Sequence, residues 1–339
     1  MIVDAHTHTL CPAVNPLVAG RPELASVPYM RDMEPESAAV DRAQGPELMR
    51  RFSDLDARRA DMAGMGVDLQ VVAPAPGQQH YWAEPDLLAR LSRMQNEHVA
   101  GVVAADPARF AGIGTLPLTA PELAEAEAAH AVEVLGLRGF QIDTRAGGLA
   151  LSDPAFDALY ACLVRLDVPL MLHPLGFSEG ARLGPFFMVN TVGNPLEEVI
   201  AANHLVLGGV LDRHPGLRVL IVHGGGFFPF LIGRFDHAWK RRPEVRRLTA
   251  EPPSAYLRRV WYDTVVFDPR LLRMLVSLVG ADRVMLGSDY PFDMGDEDPR
   301  GTLAAAGFSD ADTAQIAKRT AAAFFGLGNG GQIGRRPQT

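Results

Sequence analysis

Ten histidines are scattered along the 339-residue chain, and four of them stand where short apolar runs end. His6 and His8 close the first run, His173 closes Val168–His173 and His223 closes Val219–His223. Asp289 follows a further run, Val284–Gly287. Imidazole and carboxylate are the common ligands of divalent cations in proteins. If the first run is a strand, His6 and His8 lie two residues apart on one face and can share an ion. Together with His173 and Asp289 they make a set of three histidines and one carboxylate. Such a set suits one Zn²⁺, with Mn²⁺ or Fe²⁺ as neighbouring choices, and leaves an open position for water or substrate.

These residues are far apart in sequence, so the fold must gather them. Eight apolar runs recur along the chain: Ile2–His6, Leu69–Ala73, Ala111–Pro117, Leu137–Ile142, Val168–His173, Val219–His223, Val260–Val265 and Val284–Gly287. They are rich in Val, Ile and Leu without strict alternation, as strands buried on both faces of a parallel sheet are. Helix-like segments separate them. Pro121–Leu135 follows Thr119, a candidate N-cap, and precedes Gly136; Asp153–Leu166, Asn194–His214, Pro269–Val279 and Asp310–Phe325 look similar. Alternating strands and helices predict an α/β chain folded as a (β/α)₈ TIM barrel, in which catalytic residues sit at the C-terminal ends of the strands. A doubly wound open sheet is the alternative, but the place of its glycine fingerprint after the first strand is taken by His-Thr-His.

Residues 1–327 read as a single domain. Cys11–Glu47 shows no clear periodicity and reads as a long insertion after the first strand, over the catalytic face. The end, residues 328–339 (GNGGQIGRRPQT), reads as a disordered tail. A net charge of −8 repels phosphate and argues against a nucleic-acid partner. No basic stretch followed by an apolar run opens the chain, and no run of about 18 apolar residues occurs, so neither a signal peptide nor a membrane span is expected. Two scattered cysteines, Cys11 and Cys162, make no disulfide framework, and a reducing, cytoplasmic setting follows.

Four motifs then stand in order along nearly the whole chain: VDAHTH at the first strand, LMLHP at the fifth, VHGGGFFPFLIGRFDHAW at the sixth and VMLGSDYPF at the eighth. With them the chain resembles the amidohydrolase superfamily, and within it the 2-amino-3-carboxymuconate-6-semialdehyde decarboxylase branch. The resemblance implies that His6, His8, His173 and Asp289 bind one zinc and that His223 is the acid/base beside it. It also implies that Arg234 crosses a homodimer interface to hold a substrate carboxylate. Binuclear members of the superfamily carry a carboxylated lysine at the end of the fourth strand. Here that strand reads LRGFQID, and the only lysines are Lys240 and Lys318, so a lysine-bridged pair of metals is excluded.

The chain also departs from the branch. HPLGF follows the fifth strand where the branch has a tryptophan soon after His-Pro. The branch's insertion arginine falls near PELMRRFSDLDAR, with Arg50 and Arg51 as candidates. His80, in the loop after the second strand, is a further candidate substrate contact or a surface histidine. Phe292 is a candidate for the substrate pocket. Phe227, Phe228 and Phe230 suit either a pocket wall or packing under the rim. The glycines 224–226 are expected to let the backbone approach the metal site closely. His98, His130, His204, His214 and His237 fall in helices and read as structural or solvated.

The expected activity is metal-dependent, non-oxidative decarboxylation of a small unsaturated or aromatic carboxylic acid. A divalent cation lowers the pKa of bound water from about 15.7 towards about 7, and His223 exchanges the proton. A metal-dependent hydrolase or hydratase acting on the same site is the alternative, and a non-catalytic ligand-binding barrel a third reading.

Overall fold

The computed structural model describes residues 1–328; apart from Gly328, the segment read as a tail lies outside the described residues. All eight expected strands form. They are β1 (Val3–Thr9), β2 (Leu69–Pro74), β3 (Phe110–Gly112), β4 (Phe140–Ile142), β5 (Leu170–Leu172), β6 (Val219–Ile221), β7 (Trp261–Asp263) and β8 (Val284–Met285). Ladders join β1 to β2 to β3 and β4 to β5 to β6 to β7 to β8, every pairing parallel. Two parallel bridges close the ring, Gly114 to Phe140 between β3 and β4 and Thr7 to Tyr290 between β8 and β1. The fold is a TIM barrel.

Strand alternation sorts the core into two layers. Leu170, Leu172, Val219 and Ile221 pack outward against the helices. Met171, Leu220 and Met285, one residue out of phase, join Val3, Ala5 and Val71 in a second cluster. The apolar runs lack alternation because both faces are buried.

The longer helices are α1 (Pro35–Ser53), α2 (Leu55–Met65), α3 (Pro85–Ala105), α4 (Pro121–Glu133), α5 (Asp157–Arg165), α6 (Gly193–Leu207), α7 (Ile232–Arg241) and α8 (Pro269–Val279). Three local expectations need correction. Ala120, not Thr119, is the N-cap of α4, and the Thr119 hydroxyl is buried without a partner. The segment 194–214 is two helices, since Gly209 turns left-handed at φ 70° and starts a new turn, Val210–Arg213. The insertion is not aperiodic coil: α1 runs through Gly45 and Pro46 to Ser53, past the expected boundary at Glu47. An interior proline normally breaks a helix at a cost of about 3 kcal/mol, so local sequence argued against it. α1 is nonetheless anchored where Phe52, buried at 4% exposure, meets Phe292 with ring centres 5.6 Å apart. Asp54 then caps α2 by accepting from the amides of Asp56 and Ala57. Among the described residues no helix is long and apolar enough to cross a membrane.

Candidate metal centre

β1 pairs with β2 with a register shift between Asp4 and Thr7. Such irregularities re-aim side chains beside active sites. Beyond it the two-residue spacing brings the His6 and His8 rings to 5.0 Å, both fully buried. His173 leaves β5 and Asp289 leaves β8 towards the same point. The four side chains are buried, and one ligand atom from each lies within 4.8 Å of the others.

Hydrogen bonds on the outer ring nitrogens show which nitrogen faces inward. His173 Nδ1 lies 2.9 Å from the Pro174 carbonyl and His8 Nδ1 3.4 Å from that of Pro74. A carbonyl only accepts, so each Nδ1 carries the hydrogen and each Nε2 presents a lone pair. His6 Nδ1 is 2.7 Å from Asp263 Oδ2. The other Asp263 oxygen accepts from the amides of Gly224 and Val265, which pins the carboxylate. Carboxylates placed behind metal-binding histidines orient the ring in this way. The inner atoms are under-satisfied. His6 Nε2 and His173 Nε2 lie 3.2 and 3.5 Å from Asp289 Oδ1 but make no hydrogen bond. Three convergent lone pairs around one carboxylate, with orphaned nitrogens in a buried spot, fit a divalent cation.

The electrostatics agree. Burial pushes His8 down to about 4 and His173 down to about 3, so both are neutral, as ligands must be. Burial also works against charge on His6, but Asp289 and Asp263 outweigh it and raise that ring to about 9. The carboxylates draw positive charge to the spot a cation would take. Burial alone would raise Asp289; the charge on His6 and the close approach of the His173, His223 and His6 rings hold it well below the carboxylate range.

Behind the ligands lies a second layer. Asp4, pushed up to about 6 by burial, accepts from the Ser288 hydroxyl at 2.5 Å and its amide at 3.0 Å. Arg58, 1% exposed, donates to Gln70, to the His8 carbonyl and to Thr7. These bonds lock β1 to β2 and β8 close to the ligand residues.

His223 stands beside the cluster, its ring centre 5.1 Å from that of His173 and its Nε2 3.4 Å from Asp289 Oδ2. Its Nδ1 is hydrogen-bonded to Glu198 of α6. Burial disfavours the charged ring, but the Glu198 carboxylate and the bond to Asp289 raise His223 well above the ordinary range. Both His223 (φ 50°) and Asp289 (φ 61°) occupy left-handed backbone, a strain that structures tolerate chiefly at functional sites. The glycines 224–226 also have no room for side chains. A Cβ on Gly224 would strike Val266, on Gly225 Tyr262, and on Gly226 the Pro195 carbonyl at 2.5 Å. They let the loop pack on its neighbours while the Gly224 amide donates to Asp263 behind His6 and Gly226 lines the cavity beside His223.

Two lobes open over the cluster and share Asn190, Asn194, Asp289 and Met294. The lobe on the His223 side has a volume of about 520 Å³ and walls of Phe227, Phe230, Val265, Val266, Phe267 and Leu271. The lobe on the His173 side, about 180 Å³, is roofed by the insertion through Tyr29, Asp41, Gln44 and Leu48. Phe292 lines this second lobe, 5.3 Å from the His8 ring. Phe228 is in the core, stacked on Phe235. No lysine or arginine lines either lobe among the described residues.

His80 lines a neighbouring cavity with Tyr81, Trp82, Asp143 and Arg145 instead of a lobe. Arg234 is exposed on α7 and lines neither lobe; Asp236, two residues on, accepts from the Ser254 amide. Arg50 and Arg51 pair with Glu47 at 2.6 and 3.0 Å. Asp263, Glu198 and Asn194 were not among the residues expected at the site. Asp263 had a readable signal, a carboxylate inside the apolar run Val260–Val265. Glu198 had none, because an acidic residue in a helix is usually solvated.

The chain matches the Amidohydrolase family model over residues 3–327. It is 35% identical over 244 residues to a 2-amino-3-carboxymuconate-6-semialdehyde decarboxylase of Dictyostelium discoideum, covering 72% of this chain and 68% of that protein. It is 30% identical over 299 residues to a gamma-resorcylate decarboxylase of Rhodococcus jostii, covering 83% and 90%. In structure it is similar to a 5-carboxyvanillate decarboxylase from Sphingomonas paucimobilis, with a TM-score of 0.83, 25% identity, and 96% and 98% of the two chains covered. Family model, sequence relatives and architecture agree, and the chain belongs to the amidohydrolase family.

Proposed function

We propose that the protein is a metal-dependent, non-oxidative decarboxylase of a small unsaturated or aromatic carboxylic acid. The observation that carries this reading is His223, a proton-bearing ring beside a four-ligand cluster on the floor of an apolar cavity. The three relatives described above are each named as decarboxylases, which supports it.

A divalent ion held by His6, His8, His173 and Asp289 would supply Lewis-acid stabilisation of charge on a substrate oxygen. The remaining work falls to the chain. Phe227, Phe230, Val265 and Leu271 offer apolar walls for an unsaturated or aromatic body and exclude water from it. His223 Nε2 delivers a proton to the carbon that bears the carboxylate. A π pair of the substrate forms the new C–H bond; when the bond to the carboxylate carbon breaks, its electron pair restores that π bond, and CO₂ leaves. The net change is replacement of carboxylate by hydrogen with uptake of one proton, and no redox partner is needed. Zn²⁺ is the favoured ion for three imidazoles and one carboxylate, followed by Mn²⁺ and Fe²⁺; metal analysis of the purified protein tests this.

Metal-loaded enzyme incubated with hydroxylated benzoic acids and carboxymuconate semialdehydes is expected to release CO₂. Hydrolysis of esters, lactones or amides alone, with ¹⁸O from water entering the product, would overturn the reading in favour of a hydrolase.

Arg234 completes the site in this reading. No lysine or arginine lines either lobe among the described residues, and the family resemblance assigns a substrate carboxylate to Arg234 across a homodimer interface. Its exposure on α7 leaves it free to reach a second copy. Arg234→Ala is expected to raise KM by roughly tenfold or more with metal content unchanged, as loss of a charged hydrogen-bond partner does. A monomer by sedimentation at assay concentration would rule that role out. Both cysteines are free and buried, in keeping with a cytoplasmic setting.

A further inference from the structure

We infer that Glu198 is the positioning residue for His223, holding the ring so that Nε2 rather than a ring carbon faces the substrate. The inference rests on the reading of His223 as proton carrier and adds a residue that neither the motifs nor their order pointed to.

Glu198 sits in the middle of α6 at 0% exposure. A carboxylate in such a place is costly unless it is paired. Its one hydrogen bond goes to His223 Nδ1, and its other oxygen, Oε2, is buried with no partner. No lysine or arginine pairs with it among the described residues, so its burial is offset chiefly by the His223 imidazole. Burial pushes Glu198 up to about 7 while the charge on His223 pulls it back.

The surrounding backbone is shaped to permit the contact. Gly226, at φ 59°, lets the loop after β6 lie against α6, where a Cβ would stand 2.9 Å from Glu198 Oε2 and 2.5 Å from the Pro195 carbonyl. Any larger residue would push helix and loop apart and separate carboxylate from imidazole. The third glycine of the HGGG motif therefore finds a purpose in this contact.

The consequence is geometric. An imidazole can turn over about its Cβ–Cγ bond and exchange its nitrogens with ring carbons, Cδ2 taking the place of Nδ1 and Cε1 that of Nε2. A carboxylate fixed on one side ends that exchange, because the hydrogen-bearing Nδ1 stays with it. Nε2 is then left 3.4 Å from Asp289 Oδ2 and at the wall of the larger lobe. Asp263 does the same for His6, so each of two neighbouring histidines has its own buried carboxylate behind it.

Nitrogen-15 NMR of the wild-type protein tests the contact directly. A hydrogen-bonded Nδ1–H of His223, slow to exchange with water, is expected whether the ring is neutral or charged. That signal should vanish in Glu198→Leu and persist in Glu198→Gln, whose carbonyl oxygen still accepts. In turnover, Glu198→Leu should lower kcat by about 100-fold with KM and metal content near wild type, while Glu198→Gln should stay within about tenfold of wild type. Absence of the Nδ1–H signal from wild type overturns the assignment without any variant. So does a leucine variant with unaltered kcat, or a glutamine variant as impaired as the leucine one. A His223→Asn enzyme with wild-type activity overturns the proton-carrier reading and Glu198's role with it; the other failures remove Glu198 alone.

Discussion

Asp289→Asn is expected to bind its metal about 100-fold more weakly or worse and to lose decarboxylation in step. Asp289 is the only carboxylate among the four ligand residues. Its Oδ1 lies 3.0 Å from His8 Nε2 and 3.2 Å from His6 Nε2, at the centre of the histidine ring set. Asparagine keeps the shape and removes the charge. It also tolerates the left-handed backbone, φ 61°, at which alanine would be strained, so loss of fold is separated from loss of metal. Even partners behind a ligand are worth 10–100-fold in metal affinity, so about 100-fold is a floor for a charged ligand. Without Asp289 the His6 ring also loses the charge that raises it. Metal content by mass spectrometry after dialysis checks the prediction; an asparagine variant that keeps its full complement would remove Asp289 from the ligand set.

His223→Asn should give the opposite split. Metal content is expected to stay at the wild-type level while kcat falls by about 10²–10⁴-fold, the range assigned to positioned proton transfer. His223 is outside the set whose ligand atoms converge, and the carboxylate nearest its Nε2 is already shared with three other histidines. Asparagine again suits the local backbone, φ 50°. Its amide can accept or donate a hydrogen bond but cannot carry a proton to carbon near neutral pH. KM should change little, because the apolar walls of the larger lobe remain. Metal loss in this variant would make His223 a fifth ligand and send the proton-carrier role elsewhere.

Together the two variants divide the site into a part that holds charge and a part that moves protons. Glu198 and Asp263 stand behind both parts in the same manner. Each is a buried carboxylate whose hydrogen bond decides which way an imidazole faces.

Much of this was open to inspection in the residue order. The four ligand positions fall at the ends of apolar runs, and a parallel barrel delivers strand ends to one face whatever the loops do. A period of two then settles that His6 and His8 point the same way. Metal ligands are legible because three independent constraints coincide on them: residue type, strand position and spacing. The missing lysine at Phe140–Ile142 is legible for the same reason.

The rest depended on contacts between segments remote in sequence. The insertion shows no clear periodicity in sequence, and Gly45–Pro46 argues locally against the helix that forms there; its end is anchored by a contact remote in sequence, Phe52 on Phe292. His80 lies on the expected face but opens into another cavity, since a loop's position does not specify the direction of its side chains. Arg50 and Arg51 look equally suited to a carboxylate in a linear text, yet Glu47, one helical turn away, holds both.

The identity of the metal ligands thus followed from the order of the residues, because strand ends and periodicity are local properties. Which nitrogen His6 and His223 turn inward, and that Asp263 and Glu198 decide it, emerged only from the folded chain. Those hydrogen bonds join positions 25 and 257 residues apart, and no local pattern encodes a partner at that distance.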